Sequence, residues 1–289
     1  GASNVAVGHQ SLEANTEGSN NTAVGIQALD ANTTPSNMTA VGTAALGANT
    51  TGERNTAVGA SALLGVTTAS NNVGIGFNAG ASHASGGQSV FIGRDAGGTS
   101  GNGVTAIGFF ACNNNTADNT LGIGYRALTS NTSGGDNVAI GNDALDVNTT
   151  GSSNTAVGRN ALGANTTGTQ NVAVGANALD AATTAPNNTA IGYAALGATT
   201  TGSRNTAVGN SALLNNTTGT SNVAIGVNSL NLNSSGASNV AVGRSALQKN
   251  TTDGNTAIGH YAGEENTTGS GLTAVGANAL QANTTGLYN

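Results

Sequence analysis

The sequence predicts an all-β fold, a parallel β-solenoid of about seventeen coils with a repeat of about 17 residues. Three observations predict it. A glycine recurs every 15 to 17 residues along the whole chain, Val or Ile always precedes it, and an Asn-Thr-Thr-Gly-like segment follows it. Because each coil of a solenoid packs only on its neighbours, we expect one repeat body over residues 1–289, as an internal part of a longer fibre. The recurring glycines are Gly8, Gly25, Gly42, Gly59, Gly76, Gly93, Gly108, Gly124, Gly141, Gly158, Gly175, Gly192, Gly209, Gly226, Gly243, Gly259 and Gly276.

The strand of each coil is predicted just before this glycine. Positions in every repeat are numbered 1 to 17 as in Asn21–Asn37, so that the glycine is position 5. Positions 2 and 4 carry mainly β-branched residues, which favour strands, and they share one face of a strand. We expect position 4 and the leucine of position 9 to form the two walls of a narrow core. The predicted core residues are Val24, Leu29, Val58, Leu63, Ile140, Leu145, Val174, Leu179, Val208 and Leu213.

Position 3 lies on the opposite face of the strand and is nearly always Ala or Gly. A freely solvated position would vary among polar residues, so another layer is expected to pack on this face. A second copy of the chain is the layer we predict. The predicted chain–chain interface consists of Ala23, Ala57, Ala139, Ala173 and Ala207.

Two corners of each coil are rich in asparagine. Position 12 is usually Asn followed by Thr-Thr-Gly, and position 1 is usually Asn as well. Asn, Thr and Gly favour turns, and stacked Asn side chains form amide ladders. Several position-12 asparagines also match the glycosylation acceptor pattern, although a stacked turn explains them equally well. These are Asn32, Asn49, Asn148, Asn165, Asn216, Asn250, Asn266 and Asn283.

An irregular zone spans residues 71–119. The leucine of position 9 is replaced there by Gly80, Gly97 and Cys112. Phe91 stands at position 3, and we expect Gly74, one coil earlier, to make room for its ring. We interpret the zone as repacking after a deletion; a bend, a changed diameter or a binding feature are the alternatives.

Position 6 carries several large side chains and is predicted to face solvent. It forms a candidate contact strip, although isolated exposed aromatic residues are also normal on protein surfaces. The residues of the strip are Phe77, Phe109, Tyr125 and Tyr193.

Composition excludes several function classes. The net charge is −6 with seven Lys plus Arg, whereas nucleic-acid binding needs a basic stripe. One cysteine allows no intrachain disulfide, and no apolar run is long enough to insert this segment into a membrane. The three histidines lie too far apart to share a zinc ion. The sequence Gly122-Ile-Gly-Tyr-Arg-Ala127 matches a dinucleotide fingerprint but is one solenoid repeat among many. We therefore predict no enzyme, no catalytic or metal site and no cofactor.

The repeat resembles a known family. Asn-Val-Ala-Val-Gly at residues 4–8 and Asn-Val-Ala-Ile-Gly at 137–141 and 222–226, with Ala or Ser three residues after the glycine, resemble the head repeats of trimeric autotransporter adhesins (YadA-like heads). Similar repeats occur in tail fibres of bacterial viruses. The family's repeat is typically shorter, and Asn-Thr-Thr-Gly lengthens the coil here. The resemblance implies a left-handed β-roll and a homotrimer, intertwined or side by side, that continues end to end on a cell or virion surface.

The function expected from these observations is structural. The chain is predicted to be a segment of an extracellular fibre or adhesin that mediates surface attachment or cell–cell contact. Its partners would be further copies of itself and a cell-surface or glycan receptor. One alternative is the shaft of a bacteriophage tail fibre. The other is an ice-binding β-solenoid that uses a threonine ladder such as Thr33-Thr34.

Overall fold

The computed structural model describes residues 1–288 and shows an all-β parallel solenoid of about sixteen turns with a repeat of about 17 residues. The described residues form no helix, and hence none that could cross a membrane. Each coil contributes one three-residue strand at positions 2 to 4. The strands are β1 Val5–Val7, β2 Thr22–Val24, β3 Thr39–Val41, β4 Thr56–Val58, β5 Val73–Ile75, β6 Val90–Ile92, β7 Thr105–Ile107, β8 Leu121–Ile123, β9 Val138–Ile140, β10 Thr155–Val157, β11 Val172–Val174, β12 Thr189–Ile191, β13 Thr206–Val208, β14 Val223–Ile225, β15 Val240–Val242, β16 Thr256–Ile258 and β17 Thr273–Val275.

The chain divides into two compact units, Gly1–Ala139 and Ile140–Asn289. In the first unit, β1 to β8 pair in series, and in the second unit, β10 to β17 do the same. Strand β9 lies where one unit ends and the next begins. The prediction of a single domain over residues 1–289 stays a prediction.

The pairing register places identical repeat positions beside each other. Val172 pairs with Thr189, Ala173 with Ala190 and Val174 with Ile191. The sheet thereby stacks each position into a column along the solenoid, at the strand spacing of about 4.8 Å. A surface property that recurs at one position therefore becomes a continuous row within each unit.

The position-3 alanines face the inside of the coil, which corrects the predicted chain–chain interface. All five of those alanines are fully buried within a single chain, so no second chain can contact them in the folded state. The layer that packs on them is the far wall of their own coil. The corrected residues are Ala23, Ala57, Ala139, Ala173 and Ala207.

The valines and isoleucines of position 4 face outward, which corrects half of the predicted core. Val58 is 38% exposed and Val174 is 36% exposed, and Val24, Ile140 and Val208 are partly exposed. The leucine half of the prediction is confirmed, because the position-9 leucines are fully buried. These are Leu29, Leu63, Leu145, Leu179 and Leu213.

The short distance between opposite walls of the coil explains why position 3 faces inward and position 4 faces outward. At position 3, Gly74 lies so close to the facing leucine that an added Cβ would come within 2.7 Å of Leu63 Cγ. Beside Gly74 the leucine of position 9 reaches almost to the opposite backbone and leaves no room for a methyl group. The fully buried alanines of position 3 in the regular coils show that a methyl group fits there, and the narrow interior leaves no room for a β-branched side chain, so Ala takes the inner face and Val or Ile the outer one.

The glycine of position 5 is required by close approach of neighbouring coils. Gly141 has φ +137, and a Cβ there would lie 2.5 Å from the carbonyl oxygen of Gly158. Only glycine combines this backbone conformation with such a short distance between coils. This explains why position 5 never varies in the chain.

Both asparagine corners form buried ladders. At position 12, Asn165 Nδ2 donates to Asn148 Oδ1 at 2.8 Å and to the Gly168 carbonyl at 3.1 Å. At position 1, the backbone N–H of Asn205 donates to Asn188 Oδ1 at 2.9 Å. Because the interior is narrow, each amide satisfies backbone groups that would otherwise be buried without a partner. The sequence prediction of Asn ladders is confirmed.

The irregular zone retains the coil but fills it differently. Phe91 is fully buried, and a Cβ at Gly80 would lie 2.5 Å from its Cδ2 atom. A Cβ at Gly97 would also clash with the ring. One phenylalanine thus occupies the space that two position-9 leucines would take. The room comes from Gly80 and Gly97, whereas Gly74, which we predicted for this role, faces Leu63.

Candidate interaction surface

The outer face of the strands presents a row of β-branched side chains. Position 4 supplies one Val or Ile per coil, with exposed fractions of 36% at Val174, 41% at Ile191 and 40% at Ile225. Position 2 on the same face is Thr, Val or Leu and is mostly half-buried. The strands are parallel and in register, so this face forms an apolar ridge along each unit.

Beside this ridge, position 6 carries the residues of the predicted contact strip. Phe77 is 51% exposed, Tyr125 is 46% exposed and Tyr193 is 55% exposed, and Phe109 is half-buried. Phe77, Phe109 and Tyr125 lie in the first unit, and Tyr193 lies in the second.

The structure brings three of these residues together with an arginine that the sequence prediction missed. The Arg94 Cζ atom lies 5.9 Å from the Phe77 ring centroid and 5.5 Å from that of Phe109. The rings of Phe109 and Tyr125 stack at 5.7 Å with an interplanar angle of 8°. We call the set Phe77, Arg94, Phe109 and Tyr125 the aromatic column. The signal that identifies Arg94 is its place at position 6 of the coil between Phe77 and Phe109.

The aromatic column carries one charge pair at its surface. The Arg94 Nε atom lies 3.0 Å from Asp95 Oδ2, and the side chain of Arg94 is 64% exposed. Asn78 Nδ2 also donates to Asp95 Oδ1 at 3.0 Å, which fixes the carboxylate. An exposed pair of this kind contributes little to stability. The side chain of Asp95 is only 16% exposed, so the guanidinium of Arg94 is the charge that this level presents to solvent.

A shallow pocket in the second unit is a concave feature near charged residues. It has a volume of about 370 Å³ and is lined by Asp143, Asp146, Asn160 and Asp180 among others. Burial raises the pKa of the Asp180 carboxyl, and the nearby Arg159 charge opposes that shift. Among residues 1–288, no group of three or more His, Cys, Asp or Glu side chains is arranged to hold a metal ion.

Two buried reactive side chains belong to the core. Burial raises the pKa of the Cys112 thiol to about 12, so the thiol stays protonated at neutral pH. Burial lowers the pKa of His83, whose ring takes the place of a ladder asparagine and bonds the Gly86 carbonyl at 2.6 Å through Nε2. The neutral ring packs edge-on against Phe91 at 4.8 Å between centroids. Both groups therefore fill the coil.

The glycosylation-pattern asparagines are mostly committed to the ladder. Seven of the eight are fully buried, and Asn283 is partly exposed. Their amide groups hydrogen-bond within the solenoid, as Asn49 Nδ2 does with Asn32 Oδ1 at 3.2 Å. This arrangement favours the stacked-turn interpretation of the pattern. The buried residues are Asn32, Asn49, Asn148, Asn165, Asn216, Asn250 and Asn266.

The chain matches no protein-family model, and no curated protein sequence matches it significantly. The outward β-branched ridge and the aromatic column are the surface features that bear on function.

Proposed function

We propose that this chain is a structural segment of an extracellular fibre or adhesin, in which copies associate side by side through the outer faces of their strands. The assembly is a homotrimer, in line with the resemblance of the repeat to YadA-like heads. The segment holds a binding surface away from its anchor and contributes many weak contacts to a cell-surface or glycan receptor. A bacteriophage tail-fibre shaft is the same architecture in a different setting.

The apolar ridge at position 4 is the single observation that carries this proposal. One half-exposed side chain per coil at position 4 offers on the order of 50 Å² of apolar surface, so eight coils offer on the order of 400 Å², about half of the roughly 800 Å² that each partner buries in a stable protein–protein complex. The exposed rings of Phe77, Tyr125 and Tyr193 at position 6 add to this area where they occur. A continuous apolar patch of this extent is often functional.

Solution mass tests the proposal. Light scattering on the parent chain is expected to give about three times 27.6 kDa. The variant Ile191→Glu places a charge on the ridge and is expected to give monomers with an unchanged circular dichroism spectrum, because uncompensated burial of a charge opposes association. The matched control is Thr201→Glu, at an exposed turn position of the same coil and away from positions 2, 4 and 6, which should leave the mass unchanged. A parent chain that stays monomeric at high concentration contradicts the proposal.

We propose ice binding as a second candidate function, carried by the outer face of the strands in place of the threonine ladder at the turns. The hydroxyl of Thr50 at position 13 donates to the Thr67 carbonyl at 3.1 Å, so that ladder is engaged within the chain. The sheet face instead presents the threonines of position 2 in three successive coils, at Thr22, Thr39 and Thr56. Regular hydroxyl and methyl rows on a parallel sheet are what this function requires. A thermal hysteresis assay on the parent and on Thr39→Lys tests it, and no hysteresis in the parent rejects it.

A further inference from the structure

Within the aromatic column, Arg94 presents a cation whose outer groups are open to a ligand. Its Nε atom donates to Asp95 Oδ2 at 3.0 Å, whereas its Nη atoms make no hydrogen bond to any of residues 1–288. The Cζ atom lies 5.9 Å from the Phe77 ring centroid and 5.5 Å from that of Phe109, in the coils on either side. The two rings therefore restrain the guanidinium while its side chain stays 64% exposed.

The column is a positively charged spot on a negatively charged chain. The ionised side chains at positions 6 and 7 of its four coils are Arg94, Arg126 and Asp95, two cations against one anion. Their sum is +1, whereas the chain as a whole carries −6. The side chain of Asp95 is 16% exposed and is already held by Arg94 and Asn78. The charge that the column presents therefore attracts an anion, whereas the net charge of the chain repels one.

One face of the Phe77 ring is covered, and the other borders an open step. The Arg94 guanidinium lies over the first face. On the other side, the preceding coil carries Ala60 at position 6, and the coil before that carries the exposed Thr43. Since Ala60 has only a methyl group, a step of about 4.8 Å, the height of one coil, remains beside the ring. The half-buried Ser61 follows Ala60 in the chain and brings a hydroxyl to the same level.

The combination of an open ring face and an open guanidinium favours a sugar that carries a carboxylate. The C–H bonds on the face of a sugar ring are positively polarised, so they pack on the negative face of an aromatic ring. A carboxylate accepts two parallel hydrogen bonds from a guanidinium. An acidic peptide supplies the carboxylate without a rigid C–H face, and a phosphate supplies neither. The acidic sugar is therefore the ligand that uses both features.

We propose that the aromatic column binds acidic glycans, chains of sugars such as uronic acids that carry carboxylates. One sugar ring packs on the open face of Phe77 above Ala60, and Arg94 binds the carboxylate of an adjoining sugar. This inference deepens the proposed function and rests on it for the role of a surface that contacts glycans. It needs no association between copies, because all of these residues belong to one chain and lie beside the apolar ridge.

An oligogalacturonate and its fully methyl-esterified form test the ligand chemistry, because they share their sugar rings and differ in charge. Dissociation constants are measured by ligand-observed NMR titration of the parent chain. We expect the ester to bind about tenfold more weakly than the acid, since hydrogen bonds between ions are lost. Added salt should weaken the acid towards the ester. An oligoglutamate of equal charge should bind more weakly than the oligogalacturonate, because it has no sugar ring.

The variants separate the cation from the ring. Arg94→Gln should weaken binding of the acid about tenfold, to the level of the ester, and leave the ester unchanged. Phe77→Ala should weaken both ligands several-fold, and the coil accepts it because alanine is native at the same position in Ala60. The matched control is Arg54→Gln, which removes an arginine of similar exposure, 60%, from the same unit at a different position of the coil. It should leave both dissociation constants unchanged.

Several results would overturn the inference. They are no binding of the acid to the parent chain, equal binding of acid and ester, and equal losses in Arg94→Gln and Arg54→Gln. Binding of the oligoglutamate as tight as that of the sugar, with no effect of Phe77→Ala, would assign the site to peptide carboxylates and reject the glycan. Light scattering on the same samples separates this test from the proposed assembly. A trimer that does not bind the acid rejects the inference alone, and a monomer that binds it rejects the assembly alone.

Discussion

The irregular zone and the regular coils of the second unit solve one packing problem in two ways. In the regular coils, Ala at position 3 lies beneath Leu at position 9, as Ala173 and Leu179 do, both fully buried. In the irregular zone, Phe91 at position 3 fills the space of two missing leucines. The strand register is kept through both regions. The comparison shows that the coil specifies the volume of its interior and leaves open which wall supplies it.

The two regions also treat the outer face differently. The irregular zone concentrates large position-6 side chains in successive coils, whereas in the second unit Tyr193 lies between coils with Ala176 and Asn210 at position 6. A zone that departs from the consensus inside therefore also departs from it outside. We take this coincidence as support for a surface role of the zone in addition to its repacked core.

The largest expected effect comes from emptying the repacked core. Phe91→Ala should lower the free energy of unfolding by about 3–5 kcal/mol, because a buried ring is lost and a cavity remains. Gly80→Leu alone should also destabilise, because its side chain would clash with the ring. The double variant restores the consensus pair of Ala and Leu and should recover much of the loss. Urea denaturation of the four proteins measures the coupling, and additive effects would contradict the shared volume.

The next expected effect is a pH dependence of the free energy of unfolding that comes from one residue of the irregular zone, His83. The pKa of His83 is lowered in the folded chain because the ring is buried, so the unfolded chain binds the proton more readily. The stability contributed by the neutral ring is therefore present above the ordinary pKa of about 6.5 and is lost as the pH falls below it, by at most about 1.4 kcal/mol per pH unit. His83→Asn restores the ladder residue of the regular coils. The stability difference between parent and variant should change across pH 7 to 5, and a constant difference would refute this assignment.

A smaller gain is expected in a regular coil whose ladder is interrupted. Asn165 Oδ1 is buried without a hydrogen-bond partner, and the next coil carries Ala182 at position 12. Ala182→Asn should supply the missing donor and raise the free energy of unfolding by about 1 kcal/mol. Ala181→Asn, next to it and partly exposed, is the control and should have little effect. Equal changes in the two variants would mean that the gain does not come from the ladder.

The repeat length, the strands and the asparagine corners were predictable from the sequence because each is encoded locally and then repeated. The glycine of position 5 was recognisable because it is the same in every coil. The stacked ladder was recognisable from the recurring asparagine of position 12. The contact strip was predictable only as scattered residues. Arg94 was missed because its role depends on Phe77 and Phe109, which become neighbours only when the coils stack.

The left-handed backbone of position 9 was also beyond sequence reasoning. Leu179 has φ +51, and bulky residues rarely adopt this conformation. Nothing in the local sequence favours it over an ordinary leucine conformation. It is held because the coil must turn there while the side chain is directed into the interior, where burial offsets the strain.

By itself, the sequence determined that this protein is a parallel solenoid and where each strand lies. It also determined that positions 2 and 4 share one face of the strand and that position 3 lies on the other. Only the tertiary structure decided which face is inside. Both faces carry apolar residues, so alternation alone is satisfied by either orientation. The choice depends on the distance between opposite walls, and that distance is set by Leu63 and its equivalents reaching across the closed coil to the backbone of position 3.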